Sequence, residues 1–122
     1  MKKIAYVFVC FAFLACARTV TVDNYTTVIY YKKSIQQLES IITQTANELG
    51  WKTQRIGDGH LLAHYREEGN MTVNIYFNET SYSITYADSK GLSYDPNTHE
   101  IDKAYNKHTK ELNKELRDSI HQ

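Results

Sequence analysis

Past residue 16 the sequence contains no cysteine. A domain built from the later residues closes no disulfide and holds no thiolate-bound metal, so it must stand on its apolar core. Proline occurs once, at Pro96, while 42% of the residues are hydrophobic. That balance excludes a proline-rich linker or a disordered tail. Neither sign of charge is in excess, with 14 Lys and Arg against 14 Asp and Glu. A nucleic-acid partner needs a basic face, and no such excess exists. No uncharged apolar run reaches the roughly 20 residues of a membrane-spanning helix. There is no Gly-x-Ser-x-Gly elbow, no internal repeat and no low-complexity segment.

The longest apolar run opens the chain. Met1-Lys2-Lys3 is a short basic head, Ile4 to Cys16 carries no charge, and Arg18 ends the run. That is the layout of a secretory signal peptide over residues 1–17. Two cleavages are open. A lipoprotein peptidase would cut before Cys16 and leave its thiol to take a diacylglyceryl group; an ordinary signal peptidase, reading Ala15 and Ala17, would release a chain starting at Arg18. Lipidation of Cys16 is preferred, because a cysteine closing the leader is otherwise unexplained. Phe13-Leu14-Ala15-Cys16 is similar to a bacterial lipobox, with Phe13 standing where Leu is usual. Without Lys2 and Lys3, 12 basic residues face 14 acidic ones, a formal −2.

The remaining length suits one domain. Residues 18–33 are rich in Thr, Val and Tyr and read as a tether or an added edge strand. Residues 34–122 read as a single α+β domain. Ser34 with Gln37 forms a capping box, and Ile35, Leu38, Ile41, Ile42, Thr45, Ala46 and Leu49 trace an apolar helical stripe that Gly50 stops. Four short strands come next: Trp51 to Ile56, His60 to Arg66, Met71 to Phe77 and Ser81 to Asp88. Links as short as Gly57-Asp58-Gly59 allow only antiparallel neighbours. Tyr82, Ile84 and Tyr86 alternate with Ser83 and Thr85, which predicts a half-buried strand. Asp88-Ser89-Lys90-Gly91 then reads as a turn. Asn97 with Glu100 predicts a second cap, and Ile101, Ala104, Tyr105, His108, Leu112, Leu116 and Ile120 a second stripe. The expectation is α-β-β-β-β-α, a four-stranded antiparallel meander with both helices on one face.

Candidate chemistry is thin. On a strand His60 and His64 stand about 13 Å apart, too far to share a zinc ion whose ligands lie about 2 Å from it. His99 lies between Asp95 and Asp102, residue types that more often cap than ligate. Glu67-Glu68 is the one adjacent pair of like acids in a turn, without the facing cleft that paired catalytic carboxylates need. Trp51, Tyr65, Tyr82, Tyr86, Tyr94 and Tyr105 could stack on sugars, but their alternation with polar residues points to the core. Asp88, Ser89 and Tyr94 are read two ways: as local turn residues, or as a contact patch for a partner. No catalytic residue, metal or cofactor is assigned.

The run Tyr82 to Tyr94, followed by Tyr105-Asn106, resembles a family of small bacterial envelope lipoproteins of unknown function. That family reads aromatic-Ser-Ile-x-Tyr-x-Asp-Ser, then Asn-Leu-x-Tyr, then Ile-His-x-x-Tyr-Asn-x-Trp, and Leu49-Gly50-Trp51 is similar to its helix end. The likeness covers about Ser34 to Ile120. It departs at Gly91, where Asn is usual, at Asp102, where His is usual, and at His108, where Trp is usual. It implies an anchored domain facing the periplasm and brings no activity. The expectation is a non-enzymatic envelope lipoprotein, an interaction or binding module held at a membrane, the outer one, by the lipid on Cys16. An envelope protein or a glycan is its expected partner, and nucleic acid is not. The alternatives are a soluble periplasmic glycan-binding protein and a small periplasmic hydrolase.

Overall fold

The computed structural model describes residues 18–122; the leader, its cleavage site and Cys16 lie outside the described residues. Two strands precede the first helix: β1 (Thr19–Thr21) and β2 (Tyr25–Val28). Then come α1 (Ile35–Glu48), β3 (Lys52–Gly57), β4 (His60–Tyr65), β5 (Asn70–Phe77), β6 (Ser81–Lys90), β7 (Glu100–Asp102) and α2 (Lys103–Ile120). The main sheet is antiparallel with five strands in the order β2-β6-β5-β4-β3, and β1 pairs with β7 in a separate two-stranded sheet. The α+β class and the antiparallel meander agree with the sequence expectation, and the count of four strands is corrected. Residues 18–33 are drawn into the domain because Tyr25 and Thr27 fall opposite Ile84 and Tyr82, extending the inward row of β6.

The first helix is capped as its sequence predicts. Ser34 Oγ accepts the Gln37 N–H at 3.1 Å, and Gln37 Oε1 accepts the Ser34 N–H at 2.9 Å. At the other end Gly50 adopts a positive φ of 93°. That lets the Trp51 N–H donate back to the Ala46 carbonyl at 2.9 Å and the Gly50 N–H to Asn47 at 3.1 Å, a Schellman closure. The second helix starts later than Asn97 and Glu100 suggest. Asp102 is its N-cap, accepting the Ala104 N–H at 2.9 Å, while Glu100 belongs to β7. Asn97 instead donates its N–H to Asp95 within a turn.

Sheet register separates two faces. Leu61, Ala63, Met71, Val73, Ile75, Phe77, Tyr82 and Ile84 point one way and are buried. Both helices cover this face. Tyr82 Oη reaches Asn113 Oδ1 of α2 at 2.8 Å, and Arg55, opposite the inward Leu61, reaches Glu39 of α1 at 3.1 Å. Leu38, Ile42 and Ala46 from α1 and Tyr105, Leu112, Leu116 and Ile120 from α2 complete the core. Trp51 packs back on it beside Tyr65, ring centroids 5.2 Å apart.

The strand that ends in Asp88-Ser89-Lys90 departs from the predicted turn. Val73 pairs with Tyr86 and Thr72 with Asp88, so Ala87 is an extra residue and β6 carries a bulge there. The bulge lets pairing continue through Ser89 and Lys90, and the chain turns only at Gly91. Asp88 therefore sits on the strand and is exposed, and its carboxylate makes no hydrogen bond among the described residues. Leu92 drops into the core as expected, buried beneath Gly69.

Five tyrosines, Tyr105, Tyr82, Tyr86, Tyr65 and Tyr25, hold their phenolic protons more tightly than usual, first because burial disfavours the phenolate. In the unfolded chain a tyrosine ionises near about pH 10. Above that the unfolded state releases protons that the folded state retains. The stability these groups contribute is thus complete below about pH 10 and is lost as the pH rises beyond it. Melting followed by circular dichroism should show a Tm that is level up to that pH and falls steeply above it. A Tm that stays level throughout the tyrosine range contradicts this account.

Candidate functional site

The face of the main sheet away from the helices has no covering layer among the described residues. Its side chains run in rows across the strands. One row reads Thr26, Ser83, Tyr76, His60; the next Thr85, Asn74, Leu62, Gln54; the next Asp88, Thr72, His64, Lys52. Short polar side chains dominate the middle of this face because one-residue alternation sends the apolar set to the other side.

Toward the end where Lys90 pairs with Asn70, the face dips into a groove of about 860 Å³. Leu62, His64 and Thr72 lie in it, Lys52, Arg66 and Lys90 edge it, and Asp88 and Glu67 supply carboxylates. His64 Nε2 is buried and meets no hydrogen-bond partner among the described residues. None of Lys52, Arg66 and Lys90 makes an ion pair among the described residues. A second concavity, of about 700 Å³, runs along the exposed side of α1 between Gln36 and Glu48. It is lined by a single helix and has no facing wall, so it cannot enclose a ligand.

The opposite end of the open face is aromatic. His60 stacks on Tyr76 with centroids 4.2 Å apart, and its Nε2 lies 2.8 Å from Asn74 Oδ1, which fixes the ring. Tyr76 is 44% exposed, and Val28 and Ile56 nearby on the edge strands are also exposed. Tyr30 and Tyr31 come just after β2, against the His121 ring.

The residues singled out from sequence are dispersed. Cys16 lies outside the described residues. Asp88 and Ser89 both line the groove, but the Ser89 side chain turns to the helix side, its Oγ 2.7 Å from Tyr86 Oη. Tyr94 stacks on Tyr86 at 4.1 Å, and Tyr86 meets Tyr105 edge-on at 5.6 Å. Tyr94 and Ser89 thus join through Tyr86 on one side of the sheet while Asp88 stands on the other. Trp51, Tyr82 and Tyr105 are buried, and Tyr65, Tyr86 and Tyr94 are half-buried against the core. Of the acids in the turn, Glu68 meets His108 at 2.9 Å, and the His108 ring packs on Tyr65 at 4.4 Å. His99 Nδ1 lies 3.4 Å from Tyr94 Oη. Among the described residues no three His, Cys, Asp or Glu side chains group closely enough to hold a metal, and no helix is long and apolar enough to cross a membrane.

No protein-family model matches this chain, and no curated protein is significantly similar to it. What the arrangement can do therefore rests on its own residues. Sequence pattern does not single out Lys52, Arg66 and Lys90. Each stands beside a turn, where a lone cation is unremarkable, and only strand pairing brings them to one groove. Their long side chains present donors to an oxyanion, while Thr72 and Asp88 can bond hydroxyl or amine groups.

Proposed function

We propose that the chain is a non-enzymatic lipoprotein of a bacterial envelope, an interaction module held at a membrane by a lipid on Cys16 and binding through its open sheet face. The observation that carries the reading is the uncovered face itself. A five-stranded sheet buries one side and leaves on the other a groove of about 860 Å³, edged by three cations that form no ion pair among the described residues. The leader ending in Ala15-Cys16 and the likeness of Tyr82–Tyr94 to small envelope lipoproteins support the location, with the domain facing the periplasm from the outer membrane. Where that family carries Trp, His108 keeps an aromatic contact with Tyr65.

One observation favours a second reading, glycan binding. The exposed Tyr76 ring is held by His60 beside the short side chains of Ser83 and Thr26, which leaves room for a flat sugar face.

The anchor is tested by expressing the full chain and its Cys16→Ala variant in a bacterial host and fractionating the cells. The parent is expected in the membrane fraction and the variant in the soluble one. A mature N-terminus at Arg18, read by mass spectrometry, would overturn the lipoprotein reading.

A further inference from the structure

We propose that the groove end of the domain is a contact surface for the anionic headgroups of phospholipids in the membrane that carries the anchor. The inference rests on the lipoprotein reading and names what the open groove meets.

The geometry begins with the first strand. β1 starts at Thr19, and the Arg18 carbonyl accepts the Lys103 N–H at 3.1 Å. That strand begins three residues on from Cys16, a reach of at most about 11 Å. The sequence alone leaves residues 18–33 open between a tether and an edge strand; the strands β1 and β2 exclude the long tether. A lipid on Cys16 brings this end of the domain down to the headgroups.

Cations without an ion pair gather at the same end. Arg18 and Lys103 meet at the start of α2, with Lys107 one turn on. Lys103 and Lys107 line a shallow cleft with Gly69 and Gly91, next to the β4–β5 turn that holds Arg66 and to Lys90 at the end of β6, both at the groove. Lys52 completes the set. None of these six makes an ion pair among the described residues. Ion pairs of Lys and Arg lie at the far end: Lys32 with Glu79, Arg55 with Glu39 and Asp58, and Lys114 and Arg117 with Asp118. The carboxylates lining the groove and the cleft are Glu67, Glu68, Asp88 and Asp102, and Glu111 stands with Glu67 and Glu68 close enough to Tyr65 to disfavour its phenolate. Glu68 is engaged by His108, and Asp102 by the helix cap. Eight Lys and Arg make no ion pair among the described residues, and six of them lie at the end where the anchor emerges, Lys33 and Lys110 being the other two. Basic residues held at a membrane surface add to the hold of a lipid by attraction to anionic headgroups.

The test needs no lipid on the protein. The mature-length chain, residues 16–122 with Cys16→Ser, is sedimented with vesicles of phosphatidylcholine alone and with vesicles containing phosphatidylglycerol. Binding is expected only to the latter. Lys103→Glu with Lys107→Glu should weaken it at least about tenfold, each basic residue at the surface being worth roughly fivefold. Lys32→Glu with Lys114→Glu, the same charge change at the far end, should leave it unchanged. All four positions are exposed, so folding is retained, as circular dichroism will show. Equal binding to both vesicles, equal loss from the two double variants, or equally tight binding of free glycerol phosphate would each overturn the proposal. Fractionation of Cys16→Ala reads the anchor separately, so the two ideas fail in different experiments.

Discussion

Ile84→Asp leaves no folded protein at room temperature, whereas Ser83→Asp folds with a Tm within a few degrees of the parent. The two residues are neighbours on β6, and the difference lies in their facing. Ile84 has no exposed surface and is flanked by Ile75 on β5 and Tyr25 on β2. An aspartate there loses the apolar burial, worth about 2 to 3 kcal/mol. It also places a carboxylate where no partner waits, a cost of several kcal/mol more, whether it stays charged or takes up a proton. A small domain commonly has only about 5 to 15 kcal/mol to lose. Ser83 lies between Thr26 and Tyr76 on the open face, where a carboxylate keeps its water, so the expected change is within about 1 kcal/mol. Circular dichroism and thermal melting of the two variants decide the matter. Equal damage would mean that the open face is covered after all.

Gly59→Ala should lower the Tm by about 15 °C or more, while Gly91→Ala lowers it by roughly 5 °C. Both glycines have positive φ, 71° at Gly59 and 75° at Gly91. That conformation alone costs an alanine about 1 kcal/mol. What differs is the space. A Cβ on Gly91 would meet nothing within 4 Å, but one on Gly59 would stand 2.5 Å from the Phe77 carbonyl oxygen. The Phe77 N–H also donates to the Gly59 carbonyl at 2.9 Å, which closes the ladder between β4 and β5. The backbone cannot withdraw from the new methyl without giving up that bond, so about 3 kcal/mol in all is at stake. Similar losses in the two variants would show that the β3–β4 turn gives way more easily than this packing implies.

Where chemistry is local, it is legible in the sequence. The capping box at Ser34 and Gln37, the Gly50 stop and the alternation of Tyr82, Ile84 and Tyr86 each depend on residues within a turn or a strand of one another. The departures come from contacts distant in sequence. Residues 25–28 form a strand because β6, more than fifty residues later, leaves an edge for them. Glu100 resembles a helix-cap residue but pairs with Thr21. The Asp88-Ser89-Lys90-Gly91 segment has turn composition, yet one extra residue at Ala87 lets the strand run on, and composition does not reveal a bulge.

The same division holds for function. The sequence by itself determined the absence of disulfides past residue 16 and an α+β fold with a half-buried antiparallel sheet, and it alone carries the reading of a leader closed by Cys16. Those rest on composition and short-range period, which act before any long-range contact forms. Only the tertiary structure decided that Asp88 and Tyr94 stand on opposite sides of the sheet, and that His60 and Tyr76 stack. It also decided that Arg18, Lys52, Arg66, Lys90, Lys103 and Lys107 gather at the end where the chain leaves for Cys16. Lateral position on a sheet depends on strand order and register, which pairing across the whole chain sets and no local stretch encodes.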